Sequence, residues 1–171
     1  MTAESINGAN SVGFAYDADG LLRTAGGLAL THNAQNGLLT GSTLGGVTDS
    51  LTYNSMAELT DYSASYTTTG IYSTVYSRDA LGRITQKVET VGGTTETYGY
   101  SYDTAGRLSA VTKDAAPLST YSYDSNGNRT ALTGSLGPVS ASYDAQDRLI
   151  SYGGTTYNYT AKTGGQTGGQ V

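Results

Sequence analysis

Four acid–base pairs stand out when the 171-residue chain is searched for side chains that could do chemistry: Asp79/Arg83, Asp103/Arg107, Asp124/Arg129 and Asp144/Arg148. An Asp with an Arg four or five residues on could form an ion pair within one turn or between adjacent turns. A catalytic carboxylate needs one tuned environment, whereas here the same pair recurs. Recurrence reads as a structural ladder that sets turn geometry and register. Two acidic turns, Asp17-Ala18-Asp19-Gly20 and Asp124-Ser125-Asn126-Gly127-Asn128, resemble calcium loops in part. Neither continues into the twelve-residue pattern with its distal Glu, so turn chemistry is the expectation. The single His, His32, has no Ser or Cys motif beside it and is expected on a strand face. There is no phosphate loop and no nucleophile elbow. Glu58, Glu89 and Glu96 offer no glycosidase pair. No catalytic residue, metal site or cofactor is therefore expected.

Composition closes further routes. With no Cys, disulfides and thiolate chemistry are excluded. The net charge of −5 opposes binding to nucleic acid by phosphate neutralisation. No apolar run is long enough for a membrane-spanning helix. Fifteen of the sixteen aromatic residues are Tyr, and glycines number 24. Tyr, Thr and Val favour strands, while Gly, Asn and Asp favour turns.

The elements that hold these residues repeat. Tyr102-Asp103-Thr104-Ala105-Gly106-Arg107-Leu108 aligns with Arg78-Asp79 to Gly82-Arg83-Ile84, with Tyr123-Asp124 to Gly127-Asn128-Arg129, and with Tyr143-Asp144 to Arg148-Leu149. Weaker copies lie at Tyr16-Asp17 to Gly20, His32-Asn33 to Gly37-Leu38, Tyr53-Asn54 to Leu59, and Tyr159-Thr160. The spacing drifts around about twenty residues, as in arrays whose insertions fall on one edge. Before each Asp the aromatics alternate, as at Tyr98, Tyr100 and Tyr102, or Tyr121 and Tyr123. That is the period of a strand. The Asp caps a turn through its own backbone, and Gly at the fourth position supplies positive φ. A second turn follows, at Gly92-Gly93, Ala116-Pro117, Gly137-Pro138 and Gly153-Gly154. Each repeat is thus two antiparallel strands and two turns, and the array holds roughly 14–16 strands.

Tyr-Asp-x-x-Gly-Arg-Leu at this interval resembles the YD repeats of RHS-repeat proteins: bacterial polymorphic-toxin shells, insecticidal toxin complexes, wall-associated proteins and teneurins. The resemblance covers residues 14–160 and is strongest over 75–150. It implies an all-β fold of antiparallel hairpin repeats in a curved or coiled sheet, not closed by this chain alone. In the family such a shell often encloses a toxic domain. No payload is seen here, nor the family's autocleaving aspartate pair with its Asp-Pro-Leu-Gly-type stretch. Both prolines, Pro117 and Pro138, are read as lying in turns.

The chain divides into an N-terminal edge segment (1–13), the array (degenerate over 14–74, strong over 75–150, partial over 151–160) and a Gly/Gln/Thr-rich tail (161–171). Residues 41–73, the least regular, read as an insertion or a degenerate strand pair. The expected function is a non-enzymatic structural scaffold, extracellular or at a bacterial-type cell surface, with no signal peptide visible. It would be a shell segment, or would pair edge to edge into a fibre, because open strand edges recruit other chains. Its partners would be copies of itself or flanking repeats. One alternative is a carbohydrate-binding adhesion module, with Tyr98, Tyr100 and Tyr121 stacking on glycans. The other is a fragment of a toxin-encapsulating protein whose payload is absent. The structural motif consists of Tyr16, Asp17 and Gly20; Asp79, Gly82 and Arg83; Tyr102, Asp103, Gly106 and Arg107; Tyr123, Asp124, Gly127 and Arg129; and Tyr143, Asp144 and Arg148.

Overall fold

Alternating Tyr, Thr and Val segments punctuated by Asp-x-x-Gly and Gly-Gly fold as hairpins. The computed structural model describes residues 3–6 and 9–160. Every regular element among them is a strand, and strand order in the sheet follows chain order. The tail at 161–171 lies outside the described residues, as do residues 1, 2, 7 and 8 of the N-terminal segment.

The chain forms two units, residues 1–97 and 98–171. The first holds β1 (Ala3–Ile6), β2 (Ala9–Tyr16), β3 (Leu22–Ala25), β4 (Leu28–His32), β5 (Leu39–Leu44), β6 (Val47–Tyr53), β7 (Leu59–Tyr66), β8 (Thr69–Arg78) and β9 (Ile84–Val91). Strand β10 (Thr94–Tyr102) begins in the first unit and ends in the second. The second continues with β11 (Leu108–Lys113), β12 (Ala116–Tyr123), β13 (Arg129–Gly134), β14 (Gly137–Tyr143), β15 (Leu149–Tyr152) and β16 (Thr155–Thr156). Residues 41–73 are no insertion: they fall on β5 to β8 and continue the meander. Their turn at Asn54–Glu58 closes like the others because Ala57 takes the positive φ, 62°, that Gly takes elsewhere.

The two faces of each unit differ in composition. Cross-strand partners share a face. One face carries rows such as Leu51–Tyr62–Thr74–Glu89 in the first unit, and Tyr100–Val111–Ser119 in the second. The other carries small polar rows such as Ser50–Ser63–Ser73 and Ser101–Ala110–Thr120. Hydroxyl pairs knit this second face: Thr48 Oγ1 to Ser65 Oγ at 2.8 Å, and Ser142 Oγ to Ser151 Oγ at 2.7 Å. Among the described residues other than glycine, only Val111 and Thr74 are buried. Neighbouring side chains of one sheet therefore supply most of the packing.

Pro117 and Pro138 lie in strands β12 and β14, not in turns. The hairpin bends fall just before them, Asp114 and Ala115 taking φ of 49° and 64° in the first. Each proline pairs back with the preceding strand, Pro117 with Thr112 and Pro138 with Thr133. On the other side, β13 pairs only from Ser119 and β15 only from Ala141. The missing N–H thus faces no strand, which is where a sheet tolerates proline.

Candidate functional site

The residues of the repeat motif gather on the edge where even-numbered strands hand over to odd-numbered ones. At Asp103 the backbone N–H donates to Arg107 O at 2.9 Å, and Gly106 N–H donates back to Asp103 O at 2.9 Å. The carboxylate Oδ1 accepts the N–H groups of Ala105 and Arg107, both at 2.9 Å. Its Oδ2 accepts Arg107 Nε at 2.7 Å. Asp79 with Arg83 and Asp144 with Arg148 repeat this arrangement. Asp17 caps its turn through the N–H groups of Asp19 and Leu21. Gly20, Gly82 and Gly106 take φ of 80°, 79° and 81°. The carboxylates are thus turned onto backbone donors and guanidinium groups.

The pair expected between Asp124 and Arg129 does not form. Asp124 Oδ2 instead accepts Asn128 Nδ2 at 3.0 Å. Arg129 is five residues on rather than four, and it already belongs to β13. Its Nη2 reaches the Tyr152 hydroxyl at 3.4 Å. Gly127 keeps the turn glycine's role, with φ of 93°. In the next turn Asp147 replaces the glycine, at φ 60°. Its Oδ1 accepts the side-chain amides of Asn126 and Asn128, at 2.9 and 2.7 Å, which ties the two turns together.

The motif tyrosines join successive repeats. Tyr53 donates its hydroxyl to Leu39 O (2.8 Å), Tyr123 to Leu108 O (2.8 Å), Tyr143 to Arg129 O (3.2 Å) and Tyr159 to Leu149 O (2.9 Å). The acceptor is always the first residue of the strand that follows the previous turn. Arg78 occupies the tyrosine position of its repeat, and its Nη2 donates to Leu59 O, the equivalent acceptor, at 3.3 Å. That exchange was visible in the alignment, but only the fold shows a guanidinium doing a phenol's work. His32 makes no such bond: its Nδ1 is buried without a partner. A groove of ≈ 570 Å3 opens there, lined by Asp17, Arg23, His32 and Asn36 among others. Tyr16, in the first repeat, is 49% exposed.

Between successive repeats, arginine meets the tyrosine rings at Tyr123 and Tyr159. Arg107 lies over the Tyr123 ring at 4.6 Å and donates to Asp124 O at 2.9 Å, so it grips its own turn and the next. Arg148 lies over Tyr159 at 5.0 Å. Tyrosines of successive repeats are two strands apart, about 10 Å, too far to stack. A close pair, Tyr62 with Tyr72 at 5.8 Å, arises where adjacent strands both carry Tyr. Tyr98, Tyr100 and Tyr102 are half-buried on β10. The Lys113 ammonium lies 5.9 Å from the Tyr98 ring, and the Tyr121 hydroxyl accepts Ser119 Oγ at 3.0 Å.

Hydrogen bonding holds four turn carboxyls below the usual Asp range. For Asp79 and Asp144 the Arg83 and Arg148 side chains lead; for Asp103 it is the Arg107 backbone N–H, and for Asp124 the Asn128 amide. A carboxyl depressed on folding contributes stability that is complete above its unfolded pKa, about 3.9, and is lost as pH falls through the lower folded value. Urea midpoints measured from pH 7 to pH 2 should hold at neutral pH and drop below about pH 4. A midpoint unchanged at pH 2 would show that the caps contribute nothing. A second expectation concerns Ala57. A left-handed L-residue costs roughly 1–2 kcal/mol, partly offset by the chain entropy of glycine, so Ala57→Gly should gain about 0.5–1 kcal/mol in urea unfolding. A loss of stability would refute the strain.

The family model described as Teneurin YD-shell matches residues 2–164. No curated protein matches. Among solved structures, a chain of the Photorhabdus luminescens Tc holotoxin pore, carrying a TccC3 mutation, is similar with a TM-score of 0.62 and 15% identity. The match covers 83% of the present chain and 9% of that one, so the chain spans under a tenth of its structural relative. A porin-like protein from Bacteroides uniformis ATCC 8492 reaches a TM-score of 0.38 at 10% identity, over 86% of this chain and 91% of that one. The likeness to the toxin chain is one of fold, an antiparallel β meander.

Proposed function

Because the chain belongs to the Teneurin YD-shell family, we propose that it is a non-enzymatic segment of a shell wall, placed outside the cell or at its surface. The observation that carries this reading is the bond between repeats. The motif tyrosine hydroxyls and Arg78 Nη2 donate to the preceding repeat, and the motif Asp carboxylates accept from their own turns. Such groups build a wall and leave little to act on a substrate. The partners are further repeats, either flanking ones in a parent chain or those of another copy, joined strand to strand at the sheet edges. The match to a shell family supports a wall more than a free filament. It also keeps open the reading of a segment from a protein that encloses a payload.

The test is sedimentation of the full chain over a hundredfold concentration range, with electron microscopy of the same samples. Edge pairing predicts particles that lengthen as concentration rises. Single copies at every concentration would overturn pairing between copies and leave only flanking repeats as the partner. Glycan stacking at Tyr98, Tyr100 and Tyr121 is the weaker reading of those side chains, since Lys113 lies over the Tyr98 ring and the Tyr121 hydroxyl is bonded to Ser119.

A further inference from the structure

Three Asn-Gly pairs occur in the chain: Asn7-Gly8, Asn36-Gly37 and Asn126-Gly127. The last two lie in described motif turns. An asparagine before glycine can modify itself, because the glycine nitrogen, unshielded by a side chain, can attack the asparagine's own amide carbon. The two turns present that chemistry differently. Between β4 and β5, Gly37 N–H is held on Asn33 O at 2.9 Å, and Asn36 Oδ1 accepts Leu38 N–H at 3.1 Å. A Cβ on Gly37 would stand 3.2 Å from Leu21 Cδ1, and apolar surroundings disfavour the amide anion that attacks. Between β12 and β13, Asn126 and Gly127 are both exposed. Gly127 N–H reaches Asp124 O at a longer 3.2 Å, and that oxygen also accepts Arg107 Nη1 at 2.9 Å. A Cβ on Gly127 would stand 4.0 Å from the same guanidinium nitrogen. A cation beside the glycine favours the anion of its amide. Asn126 Nδ2 in turn donates to Asp147 Oδ1 at 2.9 Å, in the turn between β14 and β15.

We propose that Asn126 is a self-modification site, converting to aspartate and isoaspartate without an enzyme, and that the conversion cuts its tie to the next turn. Gly127 N, deprotonated, bonds to Asn126 Cγ. The Cγ–Nδ2 bond breaks, and ammonia leaves with the glycine's proton. Water then opens the succinimide ring at either carbonyl. One opening gives aspartate; the other gives isoaspartate, whose main chain runs through the former side-chain carbon. Both products replace the amide that donates to Asp147 with a carboxylate, so a bond becomes a like-charge contact. The site is independent of the shell reading, since a wall segment and a free module would carry the same turn.

The test ages the full chain in mildly alkaline buffer and maps it by trypsin digestion and mass spectrometry, with isoaspartyl methyltransferase labelling the isoaspartate. Cleavage after Lys113 and Arg129 separates Asn126 from Asn36. Asn126 should convert ahead of Asn36, faster as pH rises, with isoaspartate among the products. Freshly made Asn126→Asp should raise the unfolding equilibrium constant about three- to tenfold, the worth of one hydrogen bond. The urea midpoint of the unsubstituted chain should drift downward with age. That of Asn126→Gln should drift less, since glutamine keeps the amide but closes the larger ring sluggishly. Conversion of Asn36 first, an Asn126 that stays an amide throughout, or an equal drift in Asn126→Gln would each overturn the proposal.

Discussion

Tyr123→Ala should lower the unfolding free energy by about 2–3 kcal/mol, scaled down from the roughly 3–5 kcal/mol of a fully buried ring. Three contacts go at once: the hydroxyl bond to Leu108 O, the ring beneath Arg107, and the half-buried surface that the ring covers. Arg107 also loses the face that orients it toward Asp124 O. Tyr123→Phe separates these effects, because it removes only the hydroxyl and should cost about 0.5–1.5 kcal/mol. In a repeat array, stability is a sum of repeat and interface terms. Cutting one interface should therefore also lower the denaturant slope, as the parts on either side begin to unfold apart. Urea unfolding of the three proteins is the measurement. A Tyr123→Ala loss no larger than that of Tyr123→Phe would mean that the ring does not join the repeats.

Gly41→Ala is expected to cost about 1–3 kcal/mol, the range for overfilling a packed site. Gly41 is buried in β5, between Thr31 and Ser50 in register. A Cβ there would stand 2.7 Å from the Asp49 carbonyl oxygen. That oxygen is backbone in a paired strand, and Asp49 is further fixed by its carboxylate on Ser42. The clash is therefore resolved only by moving the ladder. Gly13→Ala is the control, since nothing lies within 4 Å of its added Cβ. It should change stability by less than about 1 kcal/mol. Equal effects at the two positions would show that backbone entropy, not the close approach, governs Gly41.

The repeat was legible because its chemistry is local. Asp, two spacers and Gly write a turn wherever they occur, and alternating tyrosines write the strand that leads in. The Asp103–Arg107 pair followed from spacing alone. What lay beyond reach depended on the distance between repeats. Nothing in a one-dimensional reading places Tyr123 on the Leu108 carbonyl, or separates ring from ring by an intervening strand. The misassigned pair at Asp124 turned on a single residue of spacing, which Asn128 filled. The prolines misled for a related reason. Gly-Pro and Ala-Pro read as turns, yet a strand can carry proline at its second residue where the following strand does not reach to pair.

The bonds between repeats also have a direction. In each of the tyrosine bonds, and in that of Arg78 to Leu59, the donor lies later in the chain than its acceptor, by 14 residues for Tyr53 and 15 for Tyr123. A chain leaving the ribosome emerges from its N-terminus, at roughly 5–20 residues per second. Each tyrosine therefore emerges after the carbonyl that receives it, onto a hairpin already made. Synthesis can proceed as a zipper in which no repeat waits for a distant partner, and non-native pairings have only seconds in which to compete.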